Sequence, residues 1–184
     1  MRTAPLFFAL FWMLALPVKA AGLNPASIEA YLATLPKVRA LAESMQAEGK
    51  GRFLHREIMP GAGVFDPHLR GVTLLRQRYP EAHQTLENIV RHSEFTSTES
   101  WALAGDRIVL AYGAVKAEAE SPQILALAAS GGTLDPDLLQ LLDPETRARM
   151  ELALKAARML AQVSAADKAV IRPYIARLDR ALSQ

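Results

Sequence analysis

Five times in this 184-residue chain a proline directly follows a residue whose side chain caps helices: Asn24-Pro25, Asp66-Pro67, Ser121-Pro122, Asp135-Pro136 and Asp143-Pro144. Proline has no backbone N–H and a fixed φ, so it fits best at the first position of a helix, where that N–H would have no partner anyway. The short polar side chain before it accepts a free N–H of the first turn. Each pair therefore reads as a helix start. Leu35-Pro36 and Tyr79-Pro80 add two starts without the ideal cap, and Thr96 to Glu99 and Ser164 to Asp167 have the spacing of capping boxes or close to it. Gly49 and Gly131 fall where C-terminal caps belong.

This punctuation predicts helices over 25–34, 36–48, 67–78, 80–92, 97–119, 122–130, 136–142, 144–163 and 165–182, with Pro173 kinking or dividing the last. Strand signals are nearly absent. The expected fold is an all-α, irregular multi-helix bundle of about seven to nine segments. The stretch from Lys50 to Phe65, with Gly51, Pro60, Gly61 and Gly63, reads as the longest irregular connection.

The N-terminus reads as an export signal. Arg2 supplies the charge, Leu6 to Leu16 is an unbroken apolar run, Pro17 breaks it, and Val18-Lys19-Ala20 offers small residues at the positions a signal peptidase reads. The run is about half the roughly 20 apolar residues that a spanning helix needs. The expectation is cleavage after Ala20, with residues 1–20 removed and residues 21–184 forming one all-helical domain in the periplasm or outside the cell. No second apolar stretch suggests a transmembrane segment in that mature chain. With no cysteine, neither a disulfide nor thiol chemistry is available. The signal holds two of the 21 basic residues and none of the 19 acidic ones, so 21 − 2 = 19 basic residues face 19 acidic ones. A formally neutral chain lacks the basic excess that binding to nucleic acid would draw on.

Two helices carry informative faces. On the helix at 144–163, Arg147, Glu151, Lys155, Arg158 and Gln162 occupy a sector of about 80°, and the remaining arc of about 240° is nearly all apolar. Such a helix is expected at the centre of the bundle, or with part of its arc in a dimer interface. On the helix at 97–119, Trp101, Gly105, Ile108, Tyr112 and Val115 form a core-facing stripe. Asp106 and Arg107 flank a second stripe of Leu103 and Leu110, where they would anchor a polar ligand or a partner helix, or else form local ion pairs at a solvated boundary. Trp101, Asp106, Arg107 and Tyr112 are thus the candidate ligand or partner residues.

No catalytic pattern accompanies them. All four histidines lie between His55 and His92, yet His83 and His92 are nine apart and no H-E-x-x-H occurs. His83 and Glu87, four apart, could share one metal-ligating face with His55 or His68, and that constellation would suit a metal-assisted hydrolase. A G-x-S-x-G nucleophile turn is missing, and Gly61 and Gly63 lack the context of a dinucleotide fingerprint. No cofactor is implied. Asp135 and Asp137 read as an N-cap and a first-turn acid.

Tyr31-Leu32-Ala33-Thr34-Leu35-Pro36 with Val38, Trp101 with Gly105-Asp106-Arg107 and Ala111-Tyr112, and Val163-Ser164 with Asp167, Val170 and Pro173 make the chain resemble a loose group of secreted all-helical proteins of proteobacteria that have no assigned activity. The resemblance touches scattered positions over most of the mature chain. It implies location and fold and carries no site residue. The leading expectation is a non-enzymatic periplasmic protein acting through protein contacts, as a homo-oligomer or with another envelope protein. The alternative is a bundle binding a small molecule or lipid in a cavity lined by Trp101, Tyr112 and the Met150 to Met159 region.

Overall fold

The computed structural model describes residues 22–51, 64–133 and 135–183. The proposed signal segment, His55 and most of the irregular connection lie outside the described residues. What is described is all helix and connection, without a strand: α1 (Pro25–Ala47), α2 (Pro67–Arg78), α3 (Pro80–Arg91), α4 (Thr98–Glu120), α5 (Pro122–Ala129), α6 (Pro136–Leu141), α7 (Pro144–Ala161), α8 (Ala165–Ile171), a 3₁₀ turn at Arg172–Tyr174, and α9 (Ile175–Leu182). The chain is an irregular all-α bundle, as the sequence predicts.

Six of the prolines stand at helix starts. Asn24 closes a reciprocal capping box with Ser27, Asp143 accepts the N–H groups of Glu145 and Thr146, and Asp135 accepts that of Asp137. At the other ends Gly49 (φ 75°) and Gly131 (φ 71°) adopt the left-handed conformation. There Lys50 N–H bonds Met45 O at 2.9 Å and Gly132 N–H bonds Leu127 O at 2.9 Å, the closing bonds of a Schellman motif. Pro173 divides the last helix through the 3₁₀ turn, as expected.

Three expectations are overturned. Pro36 does not start a helix: it lies inside the continuous α1. Ile28, Tyr31, Leu35, Val38, Leu41 and Met45 hold one helical face across it and pack on the main core, while Pro36 itself is exposed. Asp66 and Ser121 precede α2 and α5 without a side-chain cap, and Asp66 instead pairs with Arg70 at 2.6 Å. Finally, the central helix is α4, not α7. It touches α1, α2, α3, α5, α7 and α8, and it buries Trp101, Ala102, Gly105, Asp106, Ile108, Ala111 and Ala114. On α7 only Leu154 and Ala157 are buried, while Met150 and Leu152 are 39% and 60% exposed.

The core is accordingly unequal. The large cluster joins α1–α4 with α8 and α9 around Tyr31, Ile28, Ile108, Ile171 and Leu178. A separate small cluster of Ala128, Leu154 and Ala157, with Leu127 against it, holds α5 to α7.

Candidate functional site

Three elements converge where the N-terminus of α2 meets the middle of α4 and the first turns of α1. The α2 N-terminus has free N–H groups and no local cap, so it needs an acceptor from elsewhere. Asp106 supplies it. Its Oδ1 accepts the backbone N–H of His68 at 2.7 Å and its Oδ2 that of Leu69 at 3.2 Å. The same Oδ1 lies 2.8 Å from His68 Nδ1. A carboxylate only accepts, so Nδ1 carries the hydrogen, and in the neutral imidazole Nε2 accepts from the Tyr31 hydroxyl at 2.8 Å. The chain Tyr31–His68–Asp106 is therefore a continuous relay of hydrogen bonds.

Around it the aromatic rings interlock. His68 stands nearly edge-on to Trp101 (centroids 5.5 Å apart, 75° between planes) and to Tyr31 (5.6 Å, 69°), and Tyr31 and Trp101 lie 5.9 Å apart. Trp101 Nε1 donates to Thr34 Oγ1 at 2.9 Å, whose hydroxyl donates to Tyr31 O at 2.7 Å. The packing needs glycine at 105: a Cβ there would come within 2.8 Å of Tyr31 Cε2 and 3.0 Å of His68 Cδ2. Burial, aided by the Asp106 charge, pushes the Tyr31 phenol well above the ordinary tyrosine range. Tyr31 is 1% exposed and both nitrogens of His68 are engaged. The relay thus fixes one imidazole orientation, with its only hydroxyl turned inward.

His68 and Trp101 also line an apolar cavity of about 300 Å³ between α1, α2 and α3. Its other walls are Val38, Leu41, Ala42, Met45, Pro67, Gly71, Val72, Leu75 and Leu86, so among the described residues His68 is the only titratable side chain in the lining. A wider and more polar hollow of about 880 Å³ adjoins it along α1, and Leu41 and Met45 belong to both. On the far side of α4, Phe65, Val109, Leu110, Tyr112 and Gly113 face Leu152, Lys155, Ala156, Met159 and Leu160 across a third space of about 350 Å³.

Of the four residues singled out from the sequence, the structure joins Trp101 and Asp106. Asp106 is buried, not at a solvated boundary, because α2 ends upon it. Arg107 points away and grips Asp167 with two nitrogens, at 2.8 and 3.1 Å. Asp167 also accepts the N–H of Leu23 and is buried. Burial alone would raise its carboxyl, but Arg107, Leu23 N–H and the remaining hydrogen bonds outweigh that and hold it below the usual range. Tyr112 donates to Asp179 at 2.6 Å and lines the third space, so the single cavity expected to hold both Trp101 and Tyr112 is two.

Sequence reasoning took His68 only as a loose metal candidate and passed over Tyr31 and Thr34. The one signal was a histidine at the second position of a helix whose own cap residue pairs elsewhere. His83 does face Glu87, at 3.5 Å, and lies 3.4 Å from the Thr98 hydroxyl. Among the described residues no three of His, Asp and Glu come together in a way that could hold a metal ion.

No helix among the described residues is long and apolar enough to cross a membrane. No family model matches the chain, and neither the curated proteins nor the solved structures include a match.

Proposed function

We propose that this chain is a non-enzymatic, exported periplasmic protein that binds an apolar small molecule or lipid chain in the cavity between α1, α2 and α3. The observation that carries this reading is the cavity itself. It is lined by aliphatic side chains and Trp101, and its about 300 Å³ sits at the lower edge of the roughly 300–1,000 Å³ typical of ligand sites. An apolar concavity of this size, open on one side and walled by aliphatic and aromatic side chains, has the form of a small-molecule site. The relay beside it contributes a rigid wall: Asp106 fixes His68, and His68 fixes the edge that faces Trp101. Export rests on the N-terminal signal pattern read above.

Native mass spectrometry of the protein from its own host, followed by solvent extraction, tests the reading. The expected result is a retained apolar molecule, displaceable by N-phenyl-naphthylamine. Val38→Phe, which adds volume from a partly buried wall position, should lose both while keeping its helical circular dichroism. A protein that carries nothing and does not bind the probe would sink the idea.

A second reading, contact with another protein or a second copy, is favoured by the apolar side chains left open on α6 and α7. Leu141 is 82% exposed, Leu152 60% and Met150 39%. Sedimentation of the wild type against Leu141→Glu/Leu152→Glu separates the two. An oligomer that the double variant dissolves supports contact; a monomer at every concentration, with no crosslinked envelope partner, removes it.

A further inference from the structure

The lining of the cavity and of its neighbour identifies the class of ligand, an inference that rests on the cavity reading above. At the His68–Trp101 end, no side-chain polar group among the described residues is left to meet a ligand. His68 spends Nδ1 on Asp106 and Nε2 on Tyr31, and Trp101 spends its N–H on Thr34. A ligand headgroup placed there would lose its water and find no partner, at a cost that excludes it. The apolar end of the ligand must therefore enter first.

The adjoining hollow has the opposite character. It begins at Leu41 and Met45, the two side chains it shares with the cavity, and continues past Lys37, Lys50 and Arg78. Glu48 and Glu81 are the acids among its described lining residues, where three cations face two carboxylates. Lys50 is committed to Glu48 and lies over the Tyr79 ring at 5.6 Å. Lys37 makes no hydrogen bond or ion pair with any described residue, one turn of α1 before Leu41. The exposed Lys37 thus stands beside the boundary between an apolar cavity and a polar hollow, with no partner among the described residues.

We propose that the ligand is a single-chain anionic amphiphile, a long-chain carboxylate, with its tail in the cavity against Trp101 and its carboxylate at Lys37. A volume of about 300 Å³ matches one acyl chain better than the two of a bilayer phospholipid.

Isothermal titration of the purified protein with dodecanoate, dodecanol and dodecyltrimethylammonium, each below its micelle concentration, tests the proposal. Dodecanoate should bind about tenfold more tightly than dodecanol, the ratio expected for one charge-assisted hydrogen bond, and the cation should bind more weakly still. Lys37→Glu should remove the preference for dodecanoate and leave dodecanol unchanged, which a merely structural effect would not do. Equal binding of dodecanoate and dodecanol, or a Lys37→Glu variant that keeps the preference, overturns the carboxylate assignment while the cavity reading stands. If none of the three chains binds, the cavity reading falls and takes this inference with it.

Discussion

Asp106, in the middle of α4, caps a helix that begins 39 residues earlier: it accepts the backbone N–H and the ring Nδ1–H of His68 within 2.8 Å, while Asp66, the neighbour placed to do so, pairs with Arg70. One carboxylate therefore serves as N-cap, as imidazole anchor and as the buried contact between α2 and α4. Removing it leaves two N–H groups and a ring nitrogen without partners. Asp106→Ala should destabilise the protein by about 3 kcal/mol in urea denaturation, the sum of a lost cap and of buried groups left unsatisfied. A loss under about 1 kcal/mol would show that water takes over the cap and that the relay is not structural.

Gly105 offers a sign test. In most helix interiors Gly→Ala stabilises by about 1 kcal/mol. Here the new methyl group would meet the Tyr31 and His68 rings at 2.8 and 3.0 Å, and both rings are held by hydrogen bonds. Gly105→Ala should therefore destabilise by about 1–3 kcal/mol through overpacking. Gly113→Ala on the same helix meets only the end of Leu160, at 3.1 Å, and should be neutral or stabilising. Thermal melts of the two variants side by side decide the matter.

The Tyr31 phenol titrates above the ordinary range, so the folded state holds this proton more tightly than the unfolded chain does. Its contribution to stability is complete below the unfolded value of about 10 and is lost as pH rises beyond it toward the folded value. Stability measured against pH from about 9 to 12 should fall more steeply in wild type than in Tyr31→Phe. The variant should also cost about 1–2 kcal/mol at neutral pH, because His68 Nε2 loses its donor. Parallel curves would mean that Tyr31 reaches water before the protein unfolds.

Asp167 works in the opposite direction. Its carboxyl is held below the usual range, so its contribution is present above an unfolded value of about 3.9 and disappears as pH falls through the folded value. Asp167→Asn should flatten the acid limb of the stability curve below about pH 4. It should also loosen Leu23, whose N–H bonds that carboxylate, which limited proteolysis around Leu23 would read out. An acid limb unchanged from wild type would place the acid sensitivity elsewhere.

Pro36 gives a last prediction and a lesson about what the sequence could reveal. Placed inside α1 and exposed, it deletes one backbone hydrogen bond for no visible packing gain. Pro36→Ala should raise stability by about 1–2 kcal/mol, less than the about 3 kcal/mol of the intrinsic scale because the unfolded chain also gains freedom. Local chemistry argued for a helix start at Pro36, and the face running from Ile28 to Met45 overrode it. The starts at Pro25, Pro136 and Pro144 were legible because their caps are contacts between residues two or three apart. The wheel overstates the centrality of α7 because it counts apolar residues, whereas burial depends on what lies opposite; Met150 and Leu152 stay 39% and 60% exposed. Trp101 and Asp106 could be singled out as unusual on their own helix. Their partners Tyr31, Thr34 and His68 could not, because nothing local in one sequence records a contact across 37 to 67 residues.

That separation also sets an order of events. Synthesis runs from the N-terminus, so Pro67–Arg78 is complete while Asp106 has yet to be made, and α2 waits with bare N–H groups. An uncapped helix of 12 residues is marginal in water by itself. The cap that completes α2 thus becomes available only once α4 has been made.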